Sequence, residues 1–194
     1  MNNEYPLSRQ MLRPQDVLVA CKLFTLEGQE WTFSRLAGSL AISTGEIHNI
    51  VERCRCSGLI TMPRKKLTVS KRKLFDLLTV AVSQIFYAIR GPLCLGVPTS
   101  VYAPCLAGRF PCEMKGSVPL VWPYPTGTGA NLVRGESLLA LYPTAPRAVA
   151  HDPALYELLA LVDVLRTTES KEHKLAIEFL DKLIWKGEKR QSYG

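Results

Sequence analysis

Along the first 90 residues, apolar positions recur at helical spacing and the runs break at small, capping or glycine residues. Val17, Leu18, Ala20, Cys21 and Phe24 share one face of a segment from about Arg13 to Leu26, with Pro14 suited to a first helical position and Gly28 ending it. A second short helix is predicted from Thr32, a good N-cap, through Phe33, Leu36, Ala37 and Leu40. The third is predicted over 43–57. Ser43 and Glu46 have the S-x-x-E relation of a capping box, and Gly58 ends the helix. Ile47, Ile50, Val51 and Cys54 lie on one side of it, whereas Gly45, His48, Asn49, Glu52 and Arg53 project from the other.

From Leu59 to Val69 the chain reads as two short β segments around "MPRKK", a hairpin over 61–69. Ser70 then caps a long apolar helix with Leu74, Leu77, Leu78, Ala81, Val82, Ile85, Phe86 and Ile89 on one face. Residues 91–146 carry nine of the thirteen prolines, which argues against long helices there. Trp122, Tyr102, Tyr124 and Tyr142 argue equally against a floppy linker. After Pro153 helical spacing returns, first in Leu155, Leu158, Leu159, Val162 and Leu165, then in Ala176, Phe179, Leu180, Leu183 and Ile184. The expected fold is mainly α with a small β-wing: a winged helix-turn-helix domain over 1–73, a connecting or dimerisation helix over 74–90, and a Pro-rich segment with C-terminal helices over 91–194.

Charge sharpens this division. Residues 1–75 hold 12 of the 24 Lys and Arg but only 6 of the 17 Asp and Glu, so the net charge of +7 is concentrated at the N-terminal end. The opening "MNNEYPLSRQ" is polar, and the greasiest stretch, Leu74 to Ile89, is too short for a membrane span and contains Asp76 and Gln84. A cytoplasmic protein without membrane contact is expected. Six cysteines without an export signal read as reduced thiols, and none has a Cys or His partner at zinc-finger spacing, so no metal is expected. Neither a phosphate-binding G-x-x-x-x-G-K-[ST], nor H-E-x-x-H, nor G-x-S-x-G occurs, and neither catalysis nor a cofactor is expected.

A helix that is apolar inward and carries small, amide and imidazole groups outward suits the major groove of double-stranded DNA. Ser43, Thr44, Gly45, His48 and Asn49 fit that requirement, with Asn49 able to offer donor and acceptor together to an adenine edge. Arg53 and Arg55 are expected nearer the phosphates. Arg64, Lys65 and Lys66 on the wing, with Lys71, Arg72 and Lys73 beyond it, are expected on flanking phosphates or the minor groove.

The stretch "FSRLAGSLAISTGEIHNIVERCRCSGLI" resembles the helix-turn-helix of bacterial winged-helix transcriptional regulators of the MarR type, over about a third of the chain. Ala41 stands where such turns commonly carry Gly. "GVPTSVYAP" and "DPALYELLALVDVLR" are similar to the tails of bacterial proteins described as MarR-like. The resemblance implies a DNA-binding regulator, a repressor, acting as a homodimer docked through apolar helices. Leu74, Leu78, Val82, Ile85, Phe86, Phe179 and Leu183 are the dimerisation candidates. Two other readings use different residues. Region 91–194 could bind a partner protein, in the manner of an antitoxin or a complex subunit. Alternatively, Cys54 and Cys56 could sense oxidant or metal, their thiols activated by Arg53 and Arg55.

Overall fold

A computed structural model describes residues 11–63, 66–111, 118–124, 132–167 and 171–186. Helices dominate, with two small β elements. The chain divides into two compact units: Met1–Leu74 with Ala140–Leu155, and Phe75–Leu139 with Tyr156–Gly194. Ala140–Leu155, assigned by sequence to the C-terminal region, thus belongs with the N-terminal unit.

In the first unit, α1 (Pro14–Thr25), α2 (Phe33–Leu40) and α3 (Thr44–Cys56) precede a two-stranded antiparallel hairpin of β1 (Ile60–Thr61) and β2 (Thr68–Val69). α2 and α3 each start after a residue whose side chain satisfies a free amide. Thr32 Oγ1 accepts from Arg35 N and Ser43 Oγ from Glu46 N, both at 3.2 Å. The core comprises Val17 to Cys21, Leu23 and Phe24 from α1, Leu36 and Leu40 from α2, and Ile47, Ile50, Val51 and Cys54 from α3. Ile60 and Val69, paired across the hairpin, close it. The short α6 (Ala145–Ala148) packs on α2, and Lys22 Nζ meets Asp152 at 2.5 Å.

The helix predicted to run to Ile89 is shorter and interrupted. It consists of α4 (Lys71–Asp76), a π-helical turn (Leu77–Ala81) and α5 (Val82–Ile85). Leu74, Phe75, Leu78 and Val82 are buried, whereas Val80, Ile85 and Ile89 are exposed. The π turn inserts an extra residue and rotates the apolar positions that follow it out of line.

The Pro-rich segment of the second unit contains strands that its composition hides. β3 (Arg90–Pro98) pairs antiparallel with β4 (Leu120–Pro123) and with β5 (Val133–Leu138), while β4 and β5 pair in parallel, closing a three-stranded barrel. So tight a closure needs glycine where strands meet. A Cβ on Gly96 would lie 2.2 Å from the Trp122 carbonyl oxygen, and one on Gly135 2.3 Å from that of Pro119. Prolines fall at the end of a strand, Pro98 and Pro123, or in the bulge between Arg90 and Leu93.

Two C-terminal helices complete this unit, α7 (Pro153–Thr167) from Tyr156 onward and α8 (Lys171–Trp185). α7 is not the one-sided helix its leucines suggest: every residue from Leu158 to Arg166 is buried. Burying Asp163 and Arg166 requires partners for each. Asp163 accepts from Thr99 Oγ1 (2.7 Å), Trp122 Nε1 (2.6 Å) and Arg166 Nη1 (2.6 Å). Arg166 also donates to the carbonyls of Phe86, Tyr87 and Leu139. Burial pushes the Asp163 carboxyl above its usual range, opposed by these donors.

Candidate nucleic-acid interface

α2 and α3 are joined by three residues, Ala41, Ile42 and Ser43. Ile42 is buried and pins the turn, while Ala41 takes the left-handed conformation (φ 52°) that its amide needs to close α2. The consequence is a third helix presented outward. Ser43, Thr44, Gly45, His48 and Asn49 are all exposed, and the opposite positions Ile47, Ile50 and Cys54 are fully buried. Nothing lies within 4 Å of a Cβ placed on Gly45, so a polymer backbone can approach there.

Two of the exposed side chains are held by neighbours. The His48 imidazole stacks on the Phe33 ring, with centroids 4.0 Å apart and planes 8° from parallel. Phe33 in turn meets Trp31 edge to face at 5.5 Å. The sequence pattern gives Phe33 only as an apolar position of the second helix and gives Trp31 no role. The available signal was an aromatic pair flanking the N-cap of α2, but nothing local tied it to α3. Asn49 Nδ2 donates to Glu46 Oε2 at 3.3 Å, leaving its carbonyl oxygen and second amide hydrogen outward.

Arg53 does not lie among these residues. Expected at the phosphates, it is 7% exposed and forks onto Asp16, with Nε to Oδ2 at 2.9 Å and Nη2 to Oδ1 at 2.6 Å. The same Nη2 donates to Glu46 Oε1 at 2.9 Å. Hydrogen bonding to Asp16 raises the guanidinium's affinity for its proton. Desolvation acts to raise the Glu46 pKa, but hydrogen bonds from Arg53, Asn49 and Gln15 hold it below the usual carboxylate range. A guanidinium consumed by two carboxylates has no fork left for DNA. Its place was readable: Arg53 is seven residues from Glu46, two helical turns, hence on the same side and beside Ile50. This network also changes the capping box. Ser43 performs its half, but the Glu46 carboxylate turns to Arg53, Gln15 and Asn49.

The cysteine reading is corrected at Cys54. Cys54 is fully buried, its thiol donating to the Asp16 carbonyl at 3.8 Å, and burial together with the Asp16 charge pushes its pKa up to about 12. That is opposite to activation. Cys56 is exposed, in a concavity of about 330 Å³ shared with Arg55, Ile60 and Met62. Among the described residues, no three His, Cys, Asp or Glu side chains group to hold a metal.

The remaining cations flank α3. Arg55 is exposed and pairs with Glu52 at 2.8 Å. Lys66 is exposed on the β1–β2 loop, where Arg64 and Lys65 lie outside the described residues. Arg72 is exposed. Lys71 is half-buried near Glu27 (3.7 Å). Lys73 donates to the Ser57 carbonyl at 2.9 Å, satisfying the C-terminal end of α3. The two acidic residues of α3, Glu46 and Glu52, are therefore each paired with an arginine of the same helix, which removes most of the repulsion they would exert on phosphates.

Of the dimerisation candidates, Leu74, Leu78 and Val82 are fully buried within the chain and cannot contact a second copy. Phe86, Phe179 and Leu183 are half-buried, Phe179 against Phe110, and Ile85 is exposed. No described helix is long and apolar enough to cross a membrane. No protein-family profile, curated protein or solved structure matches the chain.

Proposed function

We infer that the first unit is a winged helix-turn-helix of MarR-like plan that binds double-stranded DNA sequence-specifically, and that the protein regulates transcription. One observation carries this reading: Ser43, Thr44, Gly45, His48 and Asn49 share the single exposed side of a helix whose other side is wholly buried. A 13-residue helix is about 20 Å long, and its diameter of about 10–12 Å fits the roughly 12 Å width of the major groove. The N-terminal half of α3 reads base edges through Asn49 and His48. Lys66 on the wing, Arg55 and Arg72 hold the flanking phosphates. Arg53 acts indirectly, by neutralising Glu46 beneath the reading surface.

The test is binding to duplex fragments from upstream of the protein's own gene, against scrambled duplex and single-stranded RNA, over a salt series. Neutralising about five phosphates gives a slope of log K on log salt near −4.5 for both duplexes. Asn49→Ala weakens the preferred duplex by about 1–3 kcal/mol while leaving scrambled binding unchanged, and Lys66→Ala weakens both alike. Equal affinity for all duplexes, unmoved by Asn49→Ala across a genomic fragment pool, overturns the reading; preference for the RNA redirects it.

A further inference from the structure

Eight of the ten large apolar side chains exposed among the described residues belong to the unit formed by Phe75–Leu139 and Tyr156–Gly194. Single exposed leucines need no explanation, but two in register on one strand face do. Leu93 and Leu95 of β3 are 56% and 51% exposed and point to the same side of the strand. Their cross-strand partners on β5 are Glu136 and Arg134. The alternate residues, Gly96 of β3 and Gly135 of β5, turn inward against β4, so the leucine side is the outer surface of the barrel. Past the bulge, Arg90 returns to this outer side and reaches Glu136 at 3.2 Å.

β5 pairs one edge of β3 over Arg90–Gly96, and β4 pairs the other over Gly96–Pro98. At Leu93 and Leu95 the edge toward β5 is occupied, and what the ribbon presents outward is the face that the two leucines share. The face also has a built-in complement. A two-fold axis lying across the strands, midway between the rows of Leu93 and Leu95, sets Leu93 against the partner's Leu95. It also sets Glu136 against the partner's Arg134. Each copy thus supplies two leucines, one cation and one anion, so that two ion pairs of opposite sense cross the contact, the self-complementarity that an isologous contact requires.

We propose that the outer face of the β3–β5 ribbon, Leu93 and Leu95 between Arg134 and Glu136, is a homodimer surface whose occupant is the same face of a second copy. Two leucines and the stems of three long charged side chains fall short of the roughly 800 Å² per partner of a standard interface. The dimer is accordingly weak in free solution, on the order of micromolar, and strengthened wherever both copies are held on one ligand. This inference does not rest on DNA binding, because it is measured on the protein alone.

The experiment is sedimentation velocity of the full chain over a rising concentration series. Wild type shows a concentration-dependent monomer–dimer equilibrium. Glu136→Arg or Arg134→Glu alone puts like charges opposite one another and weakens association at least about tenfold, and the double reversal Arg134→Glu/Glu136→Arg restores it. Leu95→Asp, at an exposed position, abolishes association while the melting temperature stays within a few degrees. A wild type that stays monomeric up to about millimolar concentration, a double reversal no better than the single ones, or a dimer indifferent to Leu95→Asp would each overturn the proposal.

Discussion

Arg53 illustrates how one residue's environment decides its role. On an exposed helix face an arginine contributes phosphate affinity; buried against Asp16 and Glu46, it holds α1 to α3. Removing one member of such a group leaves the others charged and unpaired, so Arg53→Ala lowers stability by about 3–5 kcal/mol, measured by urea denaturation. Asn49→Ala, by contrast, leaves the midpoint unchanged. Ala41 bears strain of the opposite consequence: a non-glycine residue at φ 52° costs about 1–2 kcal/mol. Ala41→Gly relieves it at the expense of a more flexible unfolded chain, for a net gain of about 0.5–1 kcal/mol in the same experiment. Phe33 belongs at this scale too. Phe33→Leu keeps apolar bulk but removes the flat surface that orients His48. On the proposed DNA-binding reading, the expected result is a several-fold loss of preference for the preferred duplex, with unchanged salt slope, read by competition binding.

At the scale of elements, what was legible in the sequence is what local chemistry determines. The starts of α2 and α3 follow from Thr32 and Ser43, whose hydroxyls accept the amides three residues on. Ile60 and Val69 mark the hairpin because each is a buried residue beside a turn rich in cations. Elements fixed by distant partners were not legible. The helix predicted to Ile89 stops at Ile85, and Arg166, 80 residues beyond Phe86, takes the carbonyls of Phe86 and Tyr87. β3, β4 and β5 are short, interrupted by Gly and Pro, and joined by pairings that no window of sequence contains. The candidate site divides the same way: the exposed row on α3 follows from helical periodicity, while the burial of Arg53 depends on Asp16, 37 residues away. Asp163 gives the corresponding test for the second unit. Its carboxylate ties α7 to Thr99 after β3 and to Trp122 of β4. Asp163→Ala leaves Arg166 buried without its counter-charge and lowers stability by about 3 kcal/mol or more, seen as lost Trp122 burial in fluorescence.

For the whole molecule, each unit carries a carboxyl whose protonation is biased, half-buried Glu46 in one direction and buried Asp163 in the other, so acid should act on the units differently. In the first, Glu46 titrates below its ordinary value of 4.5 because Arg53, Asn49 and Gln15 favour its charged form, outweighing desolvation. A depressed carboxyl contributes stability that is complete above the unfolded pKa and is lost as pH falls below about 4.5 through the folded one. In the second, Asp163 titrates above its ordinary 3.8, burial being the larger influence. A raised carboxyl is a burden while charged, and that burden lifts as pH falls through its folded pKa toward 3.8. The first unit therefore loses ground to acid sooner than the second. Trp31 lies in the first unit and Trp122 and Trp185 in the second, so Trp31→Phe separates their fluorescence. The wild-type signal contains an acid transition that Trp31→Phe removes. A single transition, identical in both proteins, would mean that the two units unfold as one and that these carboxyls do not govern them separately.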